Sequence, residues 1–447
     1  MERNTFLKLF SLLLASPIFV QAKDLIKMEK LSNWAGNLVY GTDKVSYPEQ
    51  LAEIQKIIRK QPKLKALGTR HCFNTIADSQ HFLLAMQNRD KVLNLDKQAK
   101  TVRVEGGIKY GTLAPYLEER GFALANLASL PHISVVGGCI TATHGSGMEN
   151  GNLATAVSEL EMVTADGELV RLSRSKDEAF YGAVVSLGAL GVVTEITLDL
   201  KPSFQVKQFV FEHLPFEQLY PNFDAIMGAA YSVSLFTDLQ SDQVNEVWIK
   251  TLAKGGKDFA GMSAFFGGKA ATRNLHPIAD LSAENCSEQM GVPGPWFDRL
   301  PHFRMGFTPS SGKELQSEYF VPHHHAVEAI RAVKKLSAKI GPHLFISEIR
   351  SIKGDELWMS PCYRQDSIAI HFTWKQEVEA VQGLLPMIEK ELEPFGVRPH
   401  WGKLFTISPE KLKASYPKWE DFKNLVATYD PSGKFRNDFL EKYLFGS

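Results

Sequence analysis

Apolar and polar positions along this chain switch repeatedly between helical and strand periods, as expected of a mixed α and β protein. Leu51, Ile54, Ile57 and Ile58 recur at helical spacing behind Pro48, which predicts a helix with proline near its first turn. Lys65-Ala66-Leu67-Gly68 reads as a strand running into a glycine turn. Residues 91–95 and 101–104 predict two short strands around a polar turn, and residues 113–120 a second helix. Residues 160–164 and 169–172 flank Ala165-Asp166-Gly167-Glu168, an Asp-Gly hairpin signal. A further strand over 192–200 is closed by Lys201-Pro202.

Beyond residue 203 the pattern changes. Short strands over 206–211, 232–236 and 246–250 mix with amphipathic helices, and the Gly- and Pro-rich stretch 253–312 predicts long loops. One helix is expected over 327–340, stopped by Gly341-Pro342. Strands over 344–349 and 367–374 follow, then a helix over 378–391 and a turn plus helix over 429–444.

Composition adds exclusions. At 447 residues, with 44% hydrophobic and 22% charged positions, the chain is no disordered polymer. Lys+Arg and Asp+Glu are 50 each, so no basic footprint points to nucleic acid. Four cysteines without a C-x-x-C pair cannot build a disulfide scaffold, and free buried thiols are expected. Residues 1–22 stand apart: a basic start at Arg3 and Lys8, an apolar stretch over 9–20, and the small-residue site Val20-Gln21-Ala22. This is the layout of a secretory signal, too short to span a bilayer, so a periplasmic or secreted protein without an integral span is expected. A buried helix or an anchor is the alternative reading of that segment.

Three clusters carry candidate chemistry. In Gly68-Thr69-Arg70-His71-Cys72-Phe73-Asn74 a strand feeds a glycine turn and a polar run, a form of nest for an anionic pyrophosphate. Residues 126–147 hold four glycines, five hydroxyl side chains and two histidines in 22 positions, which suits a backbone pressed against a large flat ligand. No G-x-G-x-x-G joins a strand to a helix there, which excludes the Rossmann reading. In the third cluster Glu348 and Arg350 share one face of a strand, His371 and Thr373 repeat the spacing, and Lys403 follows in a tryptophan-containing loop. Spacing alone leaves two readings even: a binding site, or a buried salt bridge of Glu348 with Arg350 or Lys403. His323-His324-His325 lacks partner spacing for a metal and reads as solvated or capping histidines.

With Gly188-Ala189-Leu190-Gly191-Val192-Val193-Thr194, the first two clusters resemble the FAD domain of the vanillyl-alcohol oxidase (PCMH) type. Within that superfamily the chain resembles the alditol oxidases from about Asn33 to Phe445. The most specific stretches are Asn33-Trp34-Ala35-Gly36-Asn37, residues 126–147, 289–296 and 300–304, Glu348-Ile349-Arg350, His371-Phe372-Thr373-Trp374, and Arg398-Pro399-His400-Trp401-Gly402-Lys403.

The resemblance implies an α+β fold in two parts: an FAD-binding domain over 34–203 completed by 402–447, and a substrate domain over 204–401. It implies FAD bonded covalently through His71. Relatives linked twice carry a second cysteine where this chain has Leu130-Pro131, so a single histidyl bond is expected. Flavin contacts carried over by position are Thr69, Arg70, His71, Cys72, Phe73, Asn74, Ser129, Ser134, Gly137, Gly138, Thr141, Thr143, His144, Val193 and His400. The implied reaction oxidises the terminal alcohol of a linear polyol to an aldehyde, with hydride passing to flavin N5 and O2 becoming H2O2. Lys403 and Arg350 would stabilise negative charge on the substrate oxygen, Glu348, Thr373 and Ser129 would hold neighbouring hydroxyls, and His371 would order the site. Two alternatives stay open: a dehydrogenase or aldonolactone oxidase of the same fold with a quinone or cytochrome acceptor, and an exported carbohydrate-binding protein without redox activity.

Overall fold

Alternating apolar residues between 92 and 199 pair into an antiparallel five-stranded sheet, in the order Val92–Asp96, Thr101–Glu105, Val192–Asp199, Val157–Val163, Leu169–Ser173. The computed structural model describes residues 30–306 and 313–446, and the segment read as a secretory signal lies outside them. Beside the five-stranded sheet, Val45–Ser46, Leu83–Ala85 and Lys65–Leu67 form a parallel three-stranded one. The helix Leu51–Lys60 buries Ile54 and Ile58. It starts later than Pro48 predicts, because Gln50 and Glu53 form a capping box that satisfies the first free N–H groups.

A ten-stranded antiparallel sheet takes its strands from Gln205 to Pro399. Its centre runs Gln205–Pro215, Gln243–Leu252, Ser232–Thr237, Leu344–Ile352, Ser367–Lys375, Glu314–Pro322. The helices Ala326–Lys334 and Val378–Leu392 pack on each other and on the Glu314–Pro322 strand. The helix expected over 327–340 is broken: it ends at Lys334 and resumes over Ser337–Ile340. At Leu336 the backbone tightens to a bond onto Val333, so the i→i−4 ladder is interrupted.

The C-terminal segment returns to the first part of the chain. Leu64 N–H donates to the Lys434 carbonyl, and Asn437 Nδ2 donates to the carbonyls of Thr75, Ile76 and Asp78. One apolar core runs through residues of both the five- and ten-stranded sheets. All four cysteines are free thiols.

Candidate active site

The polar run after Lys65–Leu67 is held from three directions. Asn33 Nδ2 donates to the Cys72 carbonyl, and Asn37 Nδ2 to that of Phe73. Phe73 N–H donates to the Gly402 carbonyl, and Thr69 Oγ1 accepts from Ser134 N–H at the start of the Val135–Ile140 helix. Arg70 takes a left-handed φ of 63°, uncommon for a residue with a side chain, and its guanidinium reaches the Ser32 carbonyl at 2.8 Å. The loop is therefore held in shape by bonds within the chain itself.

These loops line one cavity, with ≈ 1910 Å³ of empty space counted to its open mouth. Of the expected flavin contacts, Thr69 to Phe73, Ser129, Ser134, Gly137, Gly138, Thr141, Thr143, His144, Val193 and His400 all line it. Asn74 does not. Its amide ties the loop to the carbonyls of Trp401 and Lys403, and its Oδ1 caps the short helix Thr75–Ala77.

The lining fits a flavin dinucleotide on three observations. His71 has both ring nitrogens buried without a hydrogen-bond partner, an arrangement that needs an explanation in a folded protein. Burial, with His132 nearby, pushes its pKa down to about 4, so it is a neutral imidazole, stacked 5.4 Å from Trp34. The Ser134 hydroxyl sits in a notch between two glycines: a Cβ on Gly68 would come 2.8 Å from it, and one on Gly137 2.6 Å. The backbone thus stays bare along this rim, as close approach of a flat ligand requires.

The same cavity is lined by Glu318, Glu348, Arg350, His371, Thr373 and Lys403. The sheet register places them. His371 faces Glu318 on one neighbouring strand and Glu348 on the other, so the three form one row across the sheet. A slip of one residue would turn the row to the other face. Arg350 Nη2 donates to Glu318 Oε1 at 2.6 Å, and Lys403 Nζ to Glu318 Oε2 at 2.6 Å. Lys403 Nζ also reaches His371 Nδ1 at 2.9 Å, and His371 Nε2 lies 3.0 Å from Thr373 Oγ1. An ammonium only donates, so Nδ1 is the acceptor and Nε2–H donates to the threonine. Arg350 Nη1 donates to Ser129 Oγ at 3.4 Å, which links the sheet to the second loop.

The electrostatics balance: two carboxylates face two cations. Burial works against ionisation of Glu318, but Lys403, His144 and Arg350 hold its carboxyl well below the usual range. Burial also opposes the Glu348 carboxylate, and Arg350 and His302 overcome it. Desolvation and the Lys403 cation keep His371 and His400 neutral. Of the two anticipated pairs, Glu348 with Arg350 is present, and Lys403 pairs with Glu318 instead. Glu348 stands 3.6 Å from Arg350 and makes its short contact, 2.7 Å, with His302. The counter-ion of both Arg350 and Lys403 is Glu318, a fully buried residue absent from the sequence reading. Its signal was present, since Glu314, Gln316 and Glu318 alternate along a strand in the manner of Glu348 and Arg350. His302 lay in a stretch noted for resemblance and had no role assigned. His323 Nε2 meets Asp224 Oδ1 at 2.8 Å at the surface. No helix among the described residues is long and apolar enough to cross a membrane.

Residues 42–173 match the FAD binding domain family, and residues 309–443 the D-arabinono-1,4-lactone oxidase family. An alditol oxidase from Streptomyces sp. is 45% identical over 93% of this chain and 99% of its own. An L-gulono-1,4-lactone dehydrogenase from Mycobacterium tuberculosis is 27% identical over 92% and 98%. The L-gulonolactone oxidase of Mus musculus is 25% identical over 93% and 98%. Among solved structures, the cholesterol oxidase of B. sterolicum superposes with a TM-score of 0.74 at 14% identity, covering 92% of this chain and 96% of its own, a likeness of fold alone.

Proposed function

Because this chain belongs to the alditol oxidase family of FAD-dependent oxidoreductases, we propose that it oxidises the terminal primary alcohol of a linear polyol, such as xylitol or sorbitol, to the aldehyde while O2 becomes H2O2. The α+β fold with an FAD-binding domain of the vanillyl-alcohol oxidase type is the expected one. The observation that carries the reading is the row Glu318–His371–Glu348, with Arg350 and Lys403 paired to it, in the cavity that also holds His71.

FAD, when bound, supplies the two-electron acceptor. The chain supplies recognition and charge. A polyol offers a hydroxyl on every carbon, and this wall answers with donors at Lys403 and Arg350 and acceptors at Glu348, Thr373 and Ser129. Glu318 keeps both cations charged and pointed, so neither must reorganise as negative charge grows on the substrate oxygen. His371, neutral and bonded at both nitrogens, holds Lys403 and Thr373 in register. Thr69 to Phe73, Ser134, Gly137, Gly138, Thr141, Thr143, His144, Val193 and His400 would hold the cofactor.

His71 would carry the flavin covalently: a neutral imidazole with two unpartnered nitrogens is the nucleophile such a bond needs. Residues 1–22 would act as an export signal, so that the mature chain begins at Lys23 outside the cytoplasm.

The test is a polyol panel in air-saturated buffer with peroxide as readout, alongside acid precipitation of the protein. Polyol-dependent peroxide, yellow colour in the pellet and release of flavin from His71→Ala are the expected results. No flavin reduction by any polyol overturns the substrate reading, and turnover with an artificial acceptor alone makes the enzyme a dehydrogenase. Flavin freed from the wild type by acid overturns the covalent bond.

A further inference from the structure

Lys250 is a buried cation for which the reaction has no evident use. It sits on the Gln243–Leu252 strand, 1% exposed, with no carboxylate oxygen within 4 Å among the described residues. Its three N–H groups have three acceptors: the Leu300 carbonyl at 2.5 Å, the Pro301 carbonyl at 3.1 Å and His302 Nδ1 at 3.1 Å. His302 Nε2 in turn lies 2.7 Å from Glu348 Oε1.

The donor inventory settles the direction of this chain of bonds. In the ammonium form, favoured below about pH 7, Lys250 has no lone pair, so His302 Nδ1 accepts and Nε2 carries the hydrogen that Glu348 receives. The ring itself is fixed by other means. Phe236, Trp248 and Phe303 meet it edge-on, with centroids at 5.4, 5.2 and 6.4 Å. Aromatic packing therefore sets where the imidazole is, and Lys250 sets which nitrogen bears the proton. Without the lysine the other tautomer becomes available, and its Nε2 lone pair would face the Glu348 carboxylate.

We propose that Lys250 is a positioning residue for polyol binding: through His302 it holds Glu348 ionised and oriented, with Oε1 occupied and Oε2 left to accept a substrate hydroxyl. The inference rests on the reading of Glu348 as a polyol acceptor. It is also consistent with the environment of each group. Arg350 on the same strand, His371 on the next, Lys403 from its loop and His302 all face Glu348, and His302 alone reaches it at 2.7 Å. Burial pushes Lys250 down to about 7, with Glu348 and Cys286 raising it and Arg350 and Arg299 lowering it. Burial and Lys250 keep His302 neutral, down to about 4.

Stopped-flow reduction by xylitol or sorbitol tests it, in Lys250→Met, His302→Gln and the double variant. Glutamine keeps an N–H donor for Glu348 that no tautomer can remove. In Lys250→Met, flavin content and reoxidation by O2 should stay at wild-type values. Polyol Kd should rise roughly 10–100-fold, the scale for losing an outer hydrogen bond that orients a ligating group. The acid limb of the reduction profile should move to higher pH, because a Glu348 without its donor protonates more readily. In the His302→Gln background the same lysine change should cost little, a coupling that a purely structural lysine does not show. Equal cost in both backgrounds overturns the proposal, as does an unmoved acid limb. Should Lys250→Met lose its flavin, histidine nitrogen NMR of the wild type decides: His302 as the Nε2–H tautomer supports the proposal, and as the Nδ1–H tautomer refutes it. Wild-type flavin that no polyol reduces instead refutes the substrate reading, a separate outcome.

Discussion

The cavity has two linings of opposite character. Along residues 68–74 and 134–144 the side chains carry almost no charge towards the ligand. Arg70 is turned onto the Ser32 carbonyl, His71 is neutral, and burial raises the Cys72 thiol to about 12. Recognition there rests on bare backbone and on glycines. On the Glu314–Pro322, Leu344–Ile352 and Ser367–Lys375 strands the reverse holds: two carboxylates and two cations are packed within 4 Å of a partner. The first lining suits a large cofactor with a flat ring. The second suits a small, flexible substrate that must be oriented at every turnover.

If the contrast holds, charge changes on the sheet should disturb folding or the polyol step, and steric changes on the loops should disturb flavin content. The largest effect belongs to Glu318→Leu. Removing the shared counter-ion leaves Arg350 and Lys403 buried without it, a loss of about 3–5 kcal/mol in unfolding free energy. Urea titration reads this, and a midpoint near wild type would mean that Glu348 takes over both cations. Next comes Lys403→Met. It should keep the flavin spectrum while polyol-driven reduction slows by roughly 10²–10³, or about 2.7–4 kcal/mol. Lost flavin with an unchanged rate per flavin would reverse the assignment of the two linings.

On the flavin side Gly106 also lines the cavity, and Gly106→Ala sets a Cβ 2.6 Å from the Val193 carbonyl oxygen. Overpacking of this kind costs about 1–3 kcal/mol, so the purified variant should carry less flavin per chain. The fraction that is loaded should still be reduced by polyol at the wild-type rate. A changed rate at full flavin content would show that the two linings are not independent.

The smallest effect sharpens the charged side. Glu246 continues the same row of the sheet, opposite Phe236, which is itself opposite Glu348, yet no cation lies within 4 Å of it among the described residues. Burial raises its pKa to about 7, and Trp248 Nε1–H donates to its Oε2 at 2.6 Å. A raised carboxyl pKa gives stability that is complete below the unfolded value and is lost as pH rises through about 7. Glu246→Gln should thus raise Tm by roughly 2 °C at pH 8 and leave it unchanged at pH 4. An equal shift at both pH values would assign the effect to packing instead.

Local chemistry made a good part of this molecule legible. Glycine and hydroxyl density between 126 and 147 marked a loop meant for a flat ligand. Alternation at 348–350 and 371–373 put polar groups on one face of two strands, because the strand period is two residues whatever lies beyond. The hairpin at Asp166-Gly167 appeared for the same local reason. The helix over 327–340 broke where the backbone tightened at Leu336, a detail of packing rather than of spacing.

The sequence by itself determined which residues could bind, since residue type and period are properties of short segments. Only the tertiary structure decided who pairs with whom. Glu318 and Lys403 are 85 positions apart and His302 and Glu348 46, and no local pattern relates them. The pairing of Glu348 with Arg350, inferred from proximity along one strand, is present at 3.6 Å, but the shorter bonds of both residues come from other strands and loops. Arg350 meets Glu318 from two strands away, and Lys403 and His302 arrive from segments outside the sheet, so strand order and loop placement, both long-range properties, choose the partners.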